Sequence, residues 1–510
     1  MRYLSLLCIL AGLAVVSCTS SSGNSFLDAS IDSGLDSGLP DDSGSGGDGN
    51  NAECFSGEHE CDTTGHHKIC SGSHWTDDPC PAPTTCTTSF PQCACPDAGT
   101  TQITGTVYAP NGLDPVSKAF VFLASDPSKI PKEAAGAHCT KCLDPRLVSK
   151  STLTDAEGKF TLTGFAEGQQ QIVVVRKGPF QRVFTLTPQQ CSDNAIPSDS
   201  IRLPADPNEA GENGRFPSIA VSTGMFDQME EVIGNLGINL DYVDIFNGGG
   251  LPAHANKGNA SEELFAGFDP NTGEDNIMKY DIVFINCGQS GGSWDTIAQT
   301  RKDLFARYVN NGGRLYVTDM AYDFVEQVFP DRVVFLGDTG TSAGTIDAAE
   351  KGNELPKVTG QVVDDDLRAW LETNFPNQIS GGNVDVVGWL QNWAVVDGFD
   401  PSPQAVDAGV YRDKDLWVQG EVTYSGTVKK TKPLTLSFNI DPPGTADLKP
   451  AERTSCGRVL FSSYHTYMGP EQSDAGVDAG SGGDLIIQER ILEYLILEIG
   501  VTFCDNIIIG

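Results

Sequence analysis

Cys54, Cys61, Cys70, Cys80, Cys86, Cys93 and Cys95 crowd into one short stretch, and no other feature limits the fold of this chain so tightly. A segment of that length buries too little apolar surface to hold itself together, so it needs covalent staples. Disulfides persist only in oxidising surroundings. The N-terminus agrees with such a compartment: Arg2, an apolar run from Leu4 to Val16 and small residues near Ser17 have the layout of a secretory signal rather than a membrane span.

Val15-Val16-Ser17-Cys18 resembles the bacterial lipoprotein signal. The resemblance implies that residues 1–17 are removed and that Cys18 is acylated on its thiol and becomes the new N-terminus. Each buried methylene of an acyl chain contributes about 0.8 kcal/mol, and several chains make the anchoring stable. No second apolar run of 18 residues follows, so the lipid is the expected membrane partner. Thr19, rather than Asp, follows the cysteine, which by the same resemblance points to the outer membrane of the cell envelope.

The formal charge of −35, from 68 acidic and 33 basic residues, argues against nucleic acid as a partner, because phosphate backbones are held by clustered Lys and Arg. Of the fifteen cysteines, Cys8 leaves with the signal and Cys18 carries lipid, which leaves thirteen and hence at least one free thiol. The seven at the front and the three at Cys139, Cys142 and Cys191 are both odd sets with an even sum. One bridge from the cysteine-rich segment into the next domain would leave Cys287 free, with Cys456 and Cys504 as further disulfide candidates. The pairing itself is not legible at this level.

Residues 18–53 continue from the lipidated Cys18 into Ser, Gly, Asp and Asn and carry no Lys or Arg, which makes them a disordered acidic tether. A Gly/Ser-like coil of about 35 residues spans roughly 30–35 Å. Residues 54–98 follow as the disulfide-rich module. Its Gly72-x-x-Trp75 step and Cys80-Pro81 resemble the small cysteine-rich repeats of multidomain envelope proteins from predatory and soil bacteria, a family that brings no settled activity. His66, His67 and His74 lie among these cysteines without zinc-finger spacing, so bridges are the favoured reading over zinc.

Residues 100–205 carry short strand-like runs separated by turns, as in a β-sandwich: 103–108, 119–123, 159–162, 171–175 and 182–186. In Thr154-Asp155-Ala156-Glu157-Gly158-Lys159-Phe160, Asp155 suits a capped reversal and Gly158 a positive φ. With Gly105-Thr106-Val107, this motif resembles the carboxypeptidase regulatory-like domain, a transthyretin-like and carbohydrate-binding-like sandwich that usually serves as a spacer or interaction module. The loop carrying Cys139-Thr140-Lys141-Cys142 departs from that pattern and reads as structural, with Cys191 available as a partner.

From 215 to 510 strands alternate with helices, the signature of a doubly wound α/β domain with a parallel sheet in flavodoxin-like order. Strands are expected at 218–222, 242–246, 281–285 and 314–319, helices around 226–236, 301–309 and 485–499, and a β-rich insertion at about 380–440. Tyr280 to Ile285, Tyr308 to Tyr316 and Gly457 to His465 resemble corresponding pieces of the class I glutamine amidotransferase-like superfamily, in particular its trehalose-utilisation-like branch.

That resemblance implies a cysteine on a tight strand-to-helix turn, activated by a histidine that a carboxylate orients. Thr318-Asp319-Met320 stands where the nucleophile is due, Cys287 follows the preceding strand, and His465 lacks the x-Glu partner. The glutaminase triad is therefore not present, and no catalytic residue is assigned. Asp319, His465, Cys287 and Asp338 remain candidates for a pocket at the carboxyl ends of the strands, able to hold a metal or do acid–base work on a sugar. The competing structural reading has Asp319 capping a turn and His465 in an ordinary hydrogen bond; His254 reads as solvated and Ser473 to Gly480 as a loop rather than a calcium site.

The expected protein is a lipid-anchored, non-catalytic envelope protein that binds a carbohydrate or protein ligand, with no cofactor. The alternatives are a hydrolytic or sugar-active enzyme using the strand-end cleft, and carbohydrate binding through the sandwich.

Overall fold

The computed structural model describes residues 54–500 apart from single positions and short stretches, the longest being 289–297, 338–348, 403–412 and 466–484. Cys18, Cys142, His254, Asp338, Ser473 to Gly480 and Cys504 lie outside the described residues. No helix among them is long and apolar enough to cross a membrane.

The cysteine-rich segment forms a three-stranded antiparallel sheet (His59–Cys61, His67–Ser71, His74–Asp77) and a two-stranded one (Thr85–Thr87, Gln92–Ala94). Three bridges hold it: Cys54–Cys70, Cys61–Cys86 and Cys80–Cys93. A fourth, Cys95–Cys191, ties it to the following β region. His67 is buried against His59, with their ring nitrogens 3.0 Å apart, and faces Asp78.

The next region has two sheets. One holds Gln102–Thr106 between Lys159–Thr163 and Asp193–Ala195; the other runs Phe180–Leu186, Gln171–Lys177, Phe120–Ala124, Val148–Leu153. Alternation drives the first: in Lys159–Thr163, Phe160 and Leu162 are buried while Lys159, Thr161 and Thr163 face water. The turn before it closes as its residues require. Asp155 accepts the Glu157 and Lys159 amides, each at 2.9 Å, and Gly158 sits at φ +72°.

The largest sheet has ten strands in mixed orientation. Its elements in chain order are β1 (Ile219–Ser222), α1 (Met229–Asn235), β2 (Val243–Phe246), β3 (Ile282–Ile285), α2 (Lys302–Asn310), β4 (Arg314–Thr318), β5 (Lys357–Val362), α3 (Asp365–Asn374), β6 (Ile379–Ser380), β7 (Asn383–Val387), β8 (Lys414–Tyr424), β9 (Val428–Ile440), β10 (Gly457–Ser462) and α4 (Ile487–Ile499). The spatial order is β2-β1-β3-β4-β10-β9-β8-β5-β7-β6. The first five strands are parallel, and the rest join antiparallel. Parallel strands are covered on both faces, which is why β1, β3, β4 and β10 are buried throughout. Ile219, Val221, Phe284 and Tyr316 share a core with α1 and α4; Val283, Leu315 and Val317 share one with α2.

The antiparallel half begins at Lys357, well before the expected 380. Lys357–Val362 alternates exposed and buried positions, a period-2 signal that places it inside the sheet. The helix after β1 begins at Met229, not Phe226. Residues 223–227 are instead pinned to the end of β3: the Met225 amide donates to Gly288 O at 2.8 Å and the Phe226 amide to Cys287 O at 3.3 Å.

The core of the two-sheet region continues into that of the large sheet without a break. Trp370 donates its indole N–H to Pro115 O at 2.7 Å, and Arg490 pairs with Asp114 at 2.9 Å. Cys139 does not bridge within its own loop; it pairs with Cys456 next to β10, where Thr140–Lys141 and Thr454–Ser455 also form an antiparallel pair. Cys287 is buried and free.

Replacing Cys139 and Cys456 together by Ser is expected to lower unfolding stability by about 2–5 kcal/mol, because the bridge closes a very long loop in the unfolded chain. Urea titration should give a lower midpoint and a larger m-value as the unfolded chain expands. An unchanged midpoint would contradict the assignment of the bridge as a staple.

Candidate functional site

Four parallel strands end side by side, and the residues just past them meet. β1 leads to Asp227 through Thr223 to Phe226, β3 leads to Asn286 and Cys287, and β4 leads to Asp319; His465 comes three residues after β10. The strand ends approach this closely because two positions lack a side chain. A Cβ on Gly224 would lie 1.9 Å from Cys287 O, and one on Gly288, at φ +91°, would lie 2.5 Å from the Phe226 ring. Both glycines let the loops after β1 and β3 zip together.

Asp319 sits at φ +38°, a left-handed conformation rare for a residue with a side chain. It opens a short turn, Asp319 to Ala321, and its carbonyl accepts the Tyr322 amide at 3.0 Å. Its side chain does not cap that turn. Oδ1 accepts the Ala394 amide at 2.8 Å and Oδ2 lies 2.7 Å from His465 Nε2. Such conformations persist only where the surroundings over-determine them, and they gather at functional sites.

Cys287 lies against both. Its Sγ is 3.3 Å from His465 Nε2 and 3.5 Å from Asp319 Oδ2, and the Met320 amide donates to the sulfur. The backbone of Cys287 is fixed from the other side, with its amide donating to Thr318 Oγ1 at 2.8 Å and to Asp227 Oδ2 at 3.3 Å. Thr318 Oγ1 donates to the same Asp227 oxygen at 2.5 Å. Asn286 donates to Asp227 O and to Glu230 Oε2.

All these groups are deeply buried, with Asp227 and Asp319 wholly so. Burial, reinforced by the Asp319 and Asp227 carboxylates, pushes the Cys287 thiol well above its ordinary range, so the sulfur is a neutral thiol. His465 feels the opposite balance. Burial works against its charge, but the Asp319 and Asp227 carboxylates outweigh it and raise its pKa. Above the cluster, Phe226 packs on the imidazole with ring centres 5.8 Å apart and is itself 44% exposed. One aromatic side chain therefore separates His465 from water on that side, and exposed Met225 stands beside it.

Three of the four sequence candidates thus converge, while Asp338 lies outside the described residues. Sequence reading missed Asp227, Thr318 and Glu230. Asp227 left one signal, an acid just beyond the carboxyl end of the first parallel strand, where open α/β sheets bind ligands. Thr318 and Glu230 left none, since their roles depend on contacts across strand ends. The chain matches no protein-family model, and no curated protein matches its sequence.

Iodoacetamide is expected to leave Cys287 unmodified in the native protein and to alkylate it in denaturant, as read by peptide mass mapping. Rapid native labelling would contradict the buried thiol. Asp319→Asn is expected to cost about 3–5 kcal/mol, the usual penalty for stranding one partner of a buried pair. The His465 pKa is raised in the folded state, so its contribution is fully present below the unfolded value of about 6.5 and is lost as pH rises through the folded value. Asp319→Asn should flatten that part of the stability–pH profile measured by urea unfolding; an unaltered profile would exclude the pair as its source.

Proposed function

We propose that the chain is a lipid-anchored envelope protein whose α/β domain binds rather than turns over its ligand. One observation carries the loss of catalysis: the thiol of Cys287 occupies the space that a reacting oxygen would need. In enzymes built on a strand-to-helix elbow, the amide of the residue after the nucleophile stabilises the developing oxyanion. Here Asp319 stands at the elbow, and the Met320 amide points at the Cys287 sulfur. Both Asp319 carboxylate oxygens already have protein partners.

The first five strands follow the order β2-β1-β3-β4-β10, which is the flavodoxin-like sequence of positions, and this supports the kinship with amidotransferase-like folds. Asp319 at the family's nucleophile position, with positive φ, supports it further. The two facing sheets between residues 102 and 195 support a carboxypeptidase regulatory-like sandwich acting as a spacer. On this reading Cys18 holds the chain to the outer membrane, residues 19–53 form the tether, and the disulfide-linked modules hold the α/β domain away from the bilayer. Asp319–His465–Cys287 proximity also favours a second reading, acid–base hydrolysis in the same crevice.

Intact-mass analysis of the mature chain should find an acylated N-terminal cysteine, and Cys18→Ser should move the protein from the membrane to the soluble fraction. An unmodified Cys18 would refute the anchor. The mature chain is expected to release no ammonia from glutamine and to hydrolyse neither ester nor glycoside substrates above background. Turnover abolished by Asp319→Asn would replace the binding role with the hydrolytic one.

A further inference from the structure

We infer that Asp227, Cys287 and His465 form a binding site for a borderline-soft divalent cation of the zinc and cobalt type. No two of these residues are near in sequence; each stands beyond the end of a different parallel strand. One ligand-type atom from each lies within 4.8 Å of the others, and all three residues are buried. The donor set is a thiol, an imidazole and a carboxylate. Thiolate and imidazole together select metals such as zinc and disfavour magnesium and calcium, which take oxygen ligands.

The spacing suits a tetrahedral ion. Zn–S and Zn–N bonds of about 2.3 and 2.0–2.1 Å at a tetrahedral angle put sulfur and nitrogen roughly 3.6 Å apart. Cys287 Sγ and His465 Nε2 are 3.3 Å apart, so a small outward shift of either side chain admits the ion. Three protein ligands leave a fourth position for water or a ligand group, the arrangement of an open site.

The surroundings resemble an outer shell. Coordination through His465 Nε2 would replace the 2.7 Å contact that this nitrogen makes with Asp319 Oδ2 and leave that carboxylate beside the ion, while Thr318 holds the Asp227 carboxylate at 2.5 Å. A partner of this kind orients a metal ligand. Two further buried hydroxyls, Ser222 Oγ at the end of β1 and Ser463 Oγ just past β10, have no hydrogen-bond partner among the described residues. Buried polar atoms normally find one, and these two hydroxyls lie at the ends of strands that carry the ligands. Phe226, half in water above His465, is the side chain that must swing to let an ion enter.

The inference goes beyond the binding role proposed above, because a cation would be held whether or not a second ligand follows. The test uses the full mature chain in detergent, stripped with a chelator and titrated with Co2+. One equivalent is expected to bind with tetrahedral d–d bands and a near-ultraviolet thiolate-to-cobalt transition, displaced by Zn2+. Cys287→Ser should abolish the charge-transfer transition, and Asp227→Asn should keep it while weakening binding by about tenfold or more. His67→Asn, in the cysteine-rich module, should change neither. A chelated chain with native near-ultraviolet circular dichroism that binds no cobalt would overturn the site, as would a charge-transfer band unaltered by Cys287→Ser. Should Cys287→Ser fail to fold, an unweakened affinity in Asp227→Asn would do the same. Hydrolytic turnover by the metal-free chain would count against the non-catalytic reading and leave these spectral outcomes unaffected.

Discussion

The guanidinium of Arg215 is the joint on which the arrangement of this chain turns. It reaches Glu133 at 2.6 Å on the side of the two-sheet region and Asp281 at 2.5 Å just before β3, and it also donates to Ala134 O. Glu133 is shared with Arg176, and burial of that carboxylate is outweighed by the Arg176 and Arg215 charges, which hold its pKa down. Asp281, wholly buried, takes the Ser218 amide and hydroxyl as well. Loss of one member strands a buried charge at about 3–5 kcal/mol. Because Ser218 immediately precedes β1, the same network sets the register of β1 against β3. The approach of the loops beyond their far ends, and with it the cluster around Cys287, inherits that register.

The cluster is an unusual balance of charge. Two wholly buried carboxylates, Asp227 and Asp319, face one imidazole, and burial alone would oppose every ionised form. The protein offsets this with fixed donors: the amides of Ala394 and Cys287 and the hydroxyl of Thr318. Two of these donors are backbone amides and the third is a side chain at the end of β4, so they are already oriented. The left-handed turn at Asp319 belongs to the same economy, since it is what brings one carboxylate within reach of both Ala394 and His465.

Much of the framework was legible in the sequence, and particular residues explain why. The strands around Phe160, Val173 and Val283 announce themselves by alternation or by unbroken apolar runs, and Asp155 with Gly158 specifies its turn by local chemistry alone. Positions whose fate depends on distant partners were opaque. Cys139 carries nothing that points to Cys456, and Phe226 has a helical spacing that the pairing of Met225 with Gly288 overrides. The candidates Asp319, His465 and Cys287 could be named from strand ends, but their convergence could not, because it requires the order β1-β3-β4-β10. Asp227 had the same kind of signal and lacked only a neighbour that drew notice.

The two long bridges also define how tension would travel. A pull between the chain's ends that reaches Cys95 can pass by the backbone to Cys139, or through Cys191 and back, and then cross directly to Cys456. Every residue from β1 to β9 hangs on the closed side of that crossing. Stretching the molecule would load β10 and His465, which follow Cys456, while β1 to β9, with Asp227, Cys287 and Asp319, stay slack within a loop that force cannot open.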